Sequence, residues 1–302
     1  MTGNDSCMSL LTDMHHHTLI VICGPTASGK TAASIRFAKK YDTEILSADS
    51  RQFFKEMRIG TARPEGDDLG GITHHFLGHL SIHQEYNIAD YERDALRCLE
   101  KIFATRKVAV MVGGSGLYID AVCKGIDVLP APEARLRRQL QQQYAASGIG
   151  FLQEKLKELD LVYYRTVDLN NPARLIRALE VCISSGLPYS SFRKNKQAER
   201  SFGVVKIGLD FPREELYWRI NRRVDVMMAA GLEQEARGLY PYRHLNALQA
   251  VGYRELFDYF DGKISLTEAV EQIKMNTRRY AKRQLTWFRR DKGIQWVKPE
   301  EV

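Results

Sequence analysis

The stretch that most constrains the fold is Gly24–Thr31, which reads GPTASGKT and follows the apolar run TLIVIC. Its spacing, G-x-x-x-x-G-K-T, is typical of a loop that holds phosphates between a buried strand and a helix. Glycine lets the backbone surround an anion with N–H groups, and the N-terminus of the next helix adds positive potential. The sequence therefore predicts polyphosphate binding, with Lys30 as a point charge and Thr31 as a ligand of Mg²⁺. The residues of the predicted loop are Gly24, Pro25, Thr26, Ala27, Ser28, Gly29, Lys30 and Thr31.

The segments around this loop predict the fold class. TEILSAD and VAVMV are predicted strands, and NIADYERDALRCLEKIFATRK between them has a helical pattern. Continuous apolar strands alternating with helices favour a parallel sheet with helices on both faces, here of the P-loop NTPase-like α/β type. Three helical segments follow KGIDVLPAPE before VVKIGLDF returns as a strand. We therefore expect an inserted helical domain, 126–199, within a core formed by 1–125 and 200–302, whose C-terminal region is helical.

The acidic residues near the strand ends are unusual for an enzyme that cleaves nucleoside triphosphates. Kinases and ATPases commonly place an Asp after a neighbouring buried strand, but VAVMV is followed by GGSGLY. The acid at a strand end is Asp49, in ILSADSRQ. It is predicted to be a metal ligand or a base that faces the phosphate loop, and the alternative is a helix N-cap. The turn GGSGLY allows either close packing beside the loop or a backbone surface for a flat ligand.

Basic side chains recur far from the phosphate loop, in a chain with a formal charge of +7. Arg219, Arg222 and Arg223 share a helix face, which is either solvated or turns one arginine toward the phosphates. The last predicted helix combines an apolar stripe, expected to face the core, with a basic face that favours a phosphate backbone over simple solvation. The stripe comprises Ile273, Tyr280, Ala281, Leu285 and Phe288; the basic face comprises Lys274, Arg278, Arg279, Lys282, Arg283, Arg289 and Arg290.

The composition of the chain argues against several classes of protein. The 302 residues are 44% hydrophobic and 27% charged, which disfavours a disordered chain. No apolar run approaches the roughly 20 residues of a membrane-spanning helix. The five cysteines form no C-x-x-C pair, which disfavours a disulfide framework or a zinc site. We expect a cytoplasmic protein that makes no membrane contact and acts as a monomer.

Taken together, these stretches resemble the tRNA dimethylallyltransferases, also called tRNA isopentenyltransferases. The matching segments occur in the family's order over residues 20 to about 297, and this shared order is more specific than any single motif. Because no Cys/His finger follows the last helix, we expect the bacterial type. The segments are GPTASGKT, SADSRQFFKEMRIGTARP, HHFLGHL, GGSGLYIDA, NPARLIRALEV, RINRRVDVMMAAGLEQEA, AVGYREL and TRRYAKRQLTWFR.

The resemblance implies a reaction. A dimethylallyl group passes from dimethylallyl diphosphate to N6 of adenine 37 of tRNA, just 3′ of the anticodon, with Mg²⁺ as cofactor. The resemblance implies that Asp49 is the general base and that Thr26 and Arg219 contact the donor. The inserted domain and the final basic helix are then the expected tRNA-binding parts of the chain.

The resemblance also implies a set of tRNA contacts. Ser115 stands where the family more often has Thr and keeps the hydroxyl group. PAPEARLRR is shorter than in many relatives, which leaves Arg135 and Arg137 as alternatives for one contact. The implied contacts are Asp49, Ser50, Arg51, Gln52, Ser115, Arg135, Ala173, Arg174, Leu175, Ile176, Arg177, Gln249, Ala250, Val251, Gly252, Tyr253, Arg254, Thr277, Arg278, Arg279, Tyr280, Ala281, Lys282, Arg283 and Gln284.

Three other functions remain open from the sequence. An adenylate isopentenyltransferase shares the donor loop but acts on free nucleotide, and the helical insertion with the final basic helix disfavours it. A small-molecule kinase uses ATP as donor, and the missing carboxylate after VAVMV disfavours it. A nucleotide-gated RNA-binding module would explain the loop and the charge without catalysis.

Overall fold

The computed structural model describes residues 17–131, 133–194 and 197–301. This part of the chain forms six strands, eleven α-helices and four short 3₁₀ turns, and none of the helices is long and apolar enough to cross a membrane. The strands are β1 (Thr18–Cys23), β2 (Ile45–Ser47), β3 (His74–His75), β4 (Val108–Gly113), β5 (Gly203–Leu209) and β6 (Ile294–Val297). The helices are α1 (Lys30–Lys40), α2 (Ile88–Phe103), α3 (Gly116–Lys124), α4 (Ala134–Leu159), α5 (Leu161–Tyr164), α6 (Pro172–Ser185), α7 (Tyr189–Phe192), α8 (Arg213–Ala229), α9 (Leu232–Leu239), α10 (Tyr253–Phe260) and α11 (Leu266–Phe288). The 3₁₀ turns are Gly66–Leu69, Tyr240–Tyr242, Asn246–Leu248 and Pro299–Glu301.

The chain divides into two compact units. The larger unit runs to Lys124 and resumes at Glu199, and the smaller one comprises Gly125–Ala198. The smaller unit thus begins and ends one residue before the limits predicted for the insertion, 126 and 199.

A single parallel sheet, in the order β3–β2–β4–β1–β5–β6, forms the centre of the larger unit. Every residue of β1 is buried, as its continuous apolar run predicts. Leu19 and Val21 belong to the same buried cluster as Leu99 of α2, whereas Ile20 belongs to the cluster of Phe37 of α1. Because successive side chains of a strand point to opposite faces, α1 and α2 cover opposite faces of the sheet. The predicted P-loop NTPase-like α/β architecture is confirmed.

The smaller unit is helical and has a core of its own. Leu140, Leu152 and Leu156 of α4 and Leu175 of α6 are buried together. Gly148 interrupts α4 with φ 73° and ψ −174°, a left-handed backbone conformation that favours glycine.

Parts of the larger unit differ from the prediction. The edge strands β3 and β6 were not predicted, because runs of two and four residues are too short to show a strand period. α11 begins at a capping box formed by Ser265 and Glu268, and Ile273 and Phe288 of its predicted apolar stripe are buried. Tyr280 was expected in the same stripe but is 36% exposed, so the assignment of this residue to the core was wrong.

Candidate active site

A cavity of about 830 Å³ lies at the carboxyl ends of β1, β2 and β4. Its lining comes from Thr26–Ala32 after β1, from Asp49–Gln52 after β2, and from Gly113 at the end of β4. Residues of α8 and α11 also contribute to the wall. Ligands of open α/β sheets bind at this edge, outside the carboxyl ends of the strands. We refer to this space as the main cavity.

The predicted phosphate loop forms the turn between β1 and α1, and Lys30 begins the helix. Within the loop, Ser28 Oγ donates to the carbonyl oxygen of Pro25 at 2.8 Å, and Lys30 Nζ donates to the same oxygen at 2.5 Å. Burial lowers the pKa of Lys30 to about 8, and the charge of Asp49 opposes that shift. Lys30 is therefore a poorly hydrated cation, and its attraction to a polyphosphate is little screened by water.

Asp49 lies in the main cavity with Lys30. Its Oδ1 accepts a hydrogen bond from the backbone N–H of Arg51 at 3.1 Å, so the carboxylate caps the turn that follows it. The second oxygen, Oδ2, has no protein hydrogen-bond partner among the described residues. The charge of Asp49 also raises the pKa of Lys30 and of Arg223, against the effect of their burial. The carboxylate thus combines the capping role with a position close to two partly buried cations.

The residues after Asp49 hold neighbouring loops in place. The backbone N–H of Ser50 donates to Ser115 Oγ at 3.2 Å, which joins the ends of β2 and β4. Arg51 Nη1 donates to two carbonyl oxygens of the turn Asn246–Leu248, at 2.8 and 2.9 Å. Ser50 and Arg51, both implied tRNA contacts, therefore already have protein partners.

A carboxylate on α9 fixes another wall of the cavity. Glu235 accepts hydrogen bonds from three successive backbone N–H groups, those of Arg58, Ile59 and Gly60, and from the hydroxyl of Tyr253. The loop it holds lines the cavity. Sequence reasoning missed Glu235, because LEQEAR resembles an ordinary solvated helix and its three backbone partners are 175 to 177 residues distant in the chain.

The three arginines of α8 have different environments. Arg219 Nε donates to the carbonyl oxygen of Ala27 in the phosphate loop at 2.9 Å. Arg223 lines the main cavity, and burial lowers its pKa. Arg222 lies over the ring of Trp218, 5.3 Å from its centroid, and is exposed. The structure therefore turns Arg219 and Arg223 toward the predicted phosphate site and Arg222 toward solvent.

The glycine-rich turn after β4 packs closely against its neighbours. A Cβ atom at Gly113 would lie 2.2 Å from the carbonyl oxygen of Ala48, and one at Gly114 would lie 2.2 Å from Nε2 of Gln284. Gln284 is 6% exposed; its Oε1 accepts the backbone N–H of Thr26 at 2.9 Å, and its Nε2 donates to the carbonyl oxygen of Gly114 at 2.9 Å. These contacts favour close packing over a surface for a flat ligand as the reason for the two glycines.

The implied tRNA contacts on α11 divide among several environments. Enclosure within the cavity raises the pKa of Tyr280 to about 12, although its ring stays accessible from the cavity. Lys274, from the predicted basic face, pairs with Asp225 at 2.9 Å and Glu271 at 3.0 Å, so part of that face is neutralised. The cavity-lining residues are Thr277, Tyr280, Arg283 and Gln284; Arg279 and Lys282 are exposed, Ala281 is buried, and Arg278 donates to Asn221 at 2.6 Å.

The segment Gln249–Arg254 divides in a similar way. Most of its side chains reach the main cavity, but the hydroxyl of Tyr253 donates to Glu235 at 2.7 Å and its ring is buried. The cavity-lining residues are Gln249, Ala250, Val251 and Arg254, and the buried ones are Gly252 and Tyr253.

In the smaller unit, Arg135 and Arg137 are no longer equivalent. Arg137 makes a bidentate ion pair with Glu180, at 2.7 and 2.8 Å, and the Glu180 side chain is 1% exposed. Arg135 is exposed, and no protein partner for it is found among the described residues. Arg135 is thus the arginine that is free to bind a ligand.

The segment Ala173–Arg177 of α6 presents only some of its side chains. Arg177 donates to the carbonyl oxygen of Pro130 at 2.9 Å. Ala173 and Arg174 are exposed, whereas Leu175 and Ile176 are buried in the core of the smaller unit. A ligand on this segment would therefore meet Arg174 and not the two apolar side chains.

The chain is similar in sequence to proteins of one family. A family model described as IPP transferase matches residues 52–291. The tRNA dimethylallyltransferase of Christiangramia forsetii is 56% identical over 283 residues, which cover 94% of either chain. That of Flavobacterium psychrophilum is 50% identical over 284 residues, which cover 92% of either chain.

Solved structures of similar proteins share the fold. A tRNA isopentenylpyrophosphate transferase from Bacillus halodurans matches with a TM-score of 0.68 and 36% identity, over 93% of this chain and 90% of that one. A eukaryotic dimethylallyltransferase acting on tRNA matches with a TM-score of 0.77 and 26% identity, over 94% of this chain and 75% of that one.

Proposed function

The chain belongs to the IPP transferase family, with the tRNA dimethylallyltransferases as its relatives, and on that premise we propose that it prenylates tRNA. The proposed reaction moves a dimethylallyl group from dimethylallyl diphosphate to N6 of adenine 37, 3′ of the anticodon. The products are N6-isopentenyladenosine in the tRNA and free diphosphate. The observation that carries the proposal is that one cavity holds both the phosphate loop and Asp49.

Departure of the diphosphate requires cationic groups. As the allylic carbon–oxygen bond breaks, its electron pair stays on the diphosphate, whose charge rises. Lys30 and Arg223, both poorly hydrated, are placed to stabilise that charge where little water screens them. Arg219 binds the carbonyl of Ala27 and so supports the loop itself.

Asp49 is the proposed general base. The exocyclic amine of adenine is a weak nucleophile because its lone pair is delocalised into the ring. As the new nitrogen–carbon bond forms, the amine must lose a proton, and a carboxylate within hydrogen-bond reach can accept it. Asp49 Oδ2 is the available oxygen, since Oδ1 already accepts the N–H of Arg51.

The residues of the loop fit Mg²⁺ as the cofactor. Mg²⁺ is commonly bound by one or two protein oxygens, substrate phosphates and water, not by a complete protein cage. The Thr31 hydroxyl lines the cavity and would supply one such oxygen. Within the described residues, no three His, Cys, Asp or Glu side chains form a metal site. When bound, the ion would neutralise charge on the leaving group.

The proposed acceptor is the anticodon stem-loop of tRNA. Adenine 37 lies in a stacked loop, so it must turn out of the stack to enter the main cavity. The exposed arginines of the inserted unit, Arg135 and Arg174, and the exposed Arg279 and Lys282 of α11 are the proposed contacts to the phosphate backbone. Because tRNA is the substrate, we propose a cytoplasmic location, with the monomer as the active form.

A defined RNA tests this function. The enzyme is incubated with dimethylallyl diphosphate, Mg²⁺ and an anticodon stem-loop carrying adenine at position 37, and the digested nucleosides are analysed by mass spectrometry. A matched stem-loop with guanine 37, which has no N6 amine, is the control. We expect isopentenyladenosine only from the first RNA. Comparable product from AMP, or ATP hydrolysis without a prenyl donor, or RNA binding with the donor left intact, would each contradict the proposal.

A further inference from the structure

Gln284 is the point at which α11 meets both glycine-rich loops of the larger unit. Its side-chain amide uses both ends: the oxygen accepts the N–H of Thr26, and the nitrogen donates to the carbonyl of Gly114, each at 2.9 Å. The two partners lie 258 and 170 residues away in the chain. The amide therefore bridges the phosphate loop and the turn after β4.

The neighbourhood of Gln284 is built around this bridge. Gly114 carries no side chain where a Cβ would lie 2.2 Å from the Gln284 nitrogen. Three residues later on the same face of α11, Trp287 Nε1 donates to Asp120 of α3 at 3.0 Å. The end of α11 is thus attached to both sides of the turn after β4.

The environment of Gln284 is poorly suited to an RNA contact. The side chain is 6% exposed, and both its oxygen and its nitrogen already bind backbone groups. An RNA group that displaced either partner would leave a buried backbone group unsatisfied, which is costly. Although Gln284 belongs to the segment that the family resemblance links to tRNA, its contacts are with the donor loop.

We infer that Gln284 is a positioning residue for the donor: its amide holds Thr26 and the phosphate loop in the geometry that binds diphosphate. This inference rests on the proposed function, because it takes the phosphate loop as the donor site. It assigns Gln284 to donor binding and removes it from the set of direct RNA contacts. It also predicts that both hydrogen bonds matter, since only a group with one acceptor and one donor can join the two loops.

Binding of inorganic diphosphate with Mg²⁺, measured by calorimetry without RNA, tests the inference. Gln284→Met keeps the length of the side chain and removes both hydrogen bonds. We expect it to weaken diphosphate binding about tenfold, the effect of one to two net hydrogen bonds. Affinity for the anticodon stem-loop should change less than twofold. Gln272→Met, the same substitution elsewhere on α11, is the matched control and should change neither affinity.

A second variant gives a signature that a merely structural role would not produce. In Gln284→Glu, a carboxylate still accepts the N–H of Thr26 but opposes the carbonyl of Gly114, whereas the protonated acid restores both bonds. Its diphosphate affinity relative to the wild-type protein should therefore improve as pH falls. Unchanged diphosphate binding with weakened RNA binding would overturn the inference, as would equal loss of both affinities. If the wild-type protein itself binds no diphosphate, the proposed donor site is wrong. This outcome is distinct from an error confined to the role of Gln284, in which the wild-type protein still binds diphosphate.

Discussion

The carboxylate of Glu235 accepts a hydrogen bond from the backbone N–H of Gly60 at 2.9 Å. The same carboxylate also binds the N–H groups of Arg58 and Ile59 and the hydroxyl of Tyr253. One acidic side chain thus fixes a loop of the main cavity and connects it to α10.

Replacement of Glu235 by Ala should therefore destabilise the protein and disturb the donor site. Three backbone donors and a buried tyrosine would lose their acceptor, and we expect the free energy of unfolding to fall by about 3 kcal/mol. The KM for the donor should also rise, because the loop that the substitution releases lines the cavity. Chemical denaturation and steady-state kinetics measure the two effects. Glu233→Ala, which removes a surface pair with Arg237, is the control, and an equal loss of stability there would contradict the prediction.

Replacement of Asp49 by Asn should separate catalysis from binding. The amide oxygen can still accept the N–H of Arg51, so the turn is kept, but the base is lost. We expect kcat to fall about 10²–10⁴-fold, the usual contribution of a general base, with the diphosphate dissociation constant within about threefold. Single-turnover kinetics and calorimetry give the two quantities. An unchanged kcat would exclude Asp49 as the base.

The phosphate loop and the sheet around it were predictable because their signals are local. TLIVIC is a continuous apolar strand, and GPTASGKT carries the loop spacing within eight residues. The bridge from Gln284 to Thr26 has no such signal. The two residues are 258 positions apart in the chain, and only the packing of α11 brings them together. The same holds for Glu235, whose partners are identified only by tertiary structure. Local pattern thus predicts the phosphate loop but not the side chains that hold it.

The arginines of α8 illustrate the same limit and supply a matched pair of variants. Sequence spacing places Arg222 and Arg223 near the same helix face, but packing turns only Arg223 into the cavity. Arg223→Gln should lower kcat/KM for the donor about 10²-fold, because it removes a poorly hydrated cation from the leaving group. Arg222→Gln should stay within twofold. Similar losses in both variants would show that overall positive charge, and not position, is what matters.

Donor capture should depend on pH through Lys30. Burial lowers the pKa of this group to about 8, so above that pH the free enzyme loses the charge that attracts the diphosphate. We expect kcat/KM for the donor to fall about tenfold for each pH unit beyond about 8. In Lys30→Arg, whose guanidinium stays protonated, the plateau should extend to higher pH even if its height is lower. The same alkaline fall in Lys30→Arg would assign the titration to another group.

Arg135 and Arg137 should have separable roles in the smaller unit, and each variant is the control for the other. Arg137→Ala leaves the buried carboxylate of Glu180 without its bidentate partner. Because Arg177 remains 3.6 Å from that carboxylate and Arg137 is itself partly exposed, we expect a loss of only about 2 kcal/mol. It should appear as faster hydrogen exchange in α6. Arg135→Ala should leave hydrogen exchange unchanged but raise the KM for the RNA. The slope of log affinity for RNA against log salt concentration should become shallower by the amount expected for about one phosphate contact. If Arg137→Ala weakened RNA binding without loosening α6, the RNA contact would belong to Arg137, and its pair with Glu180 would have to open when RNA binds.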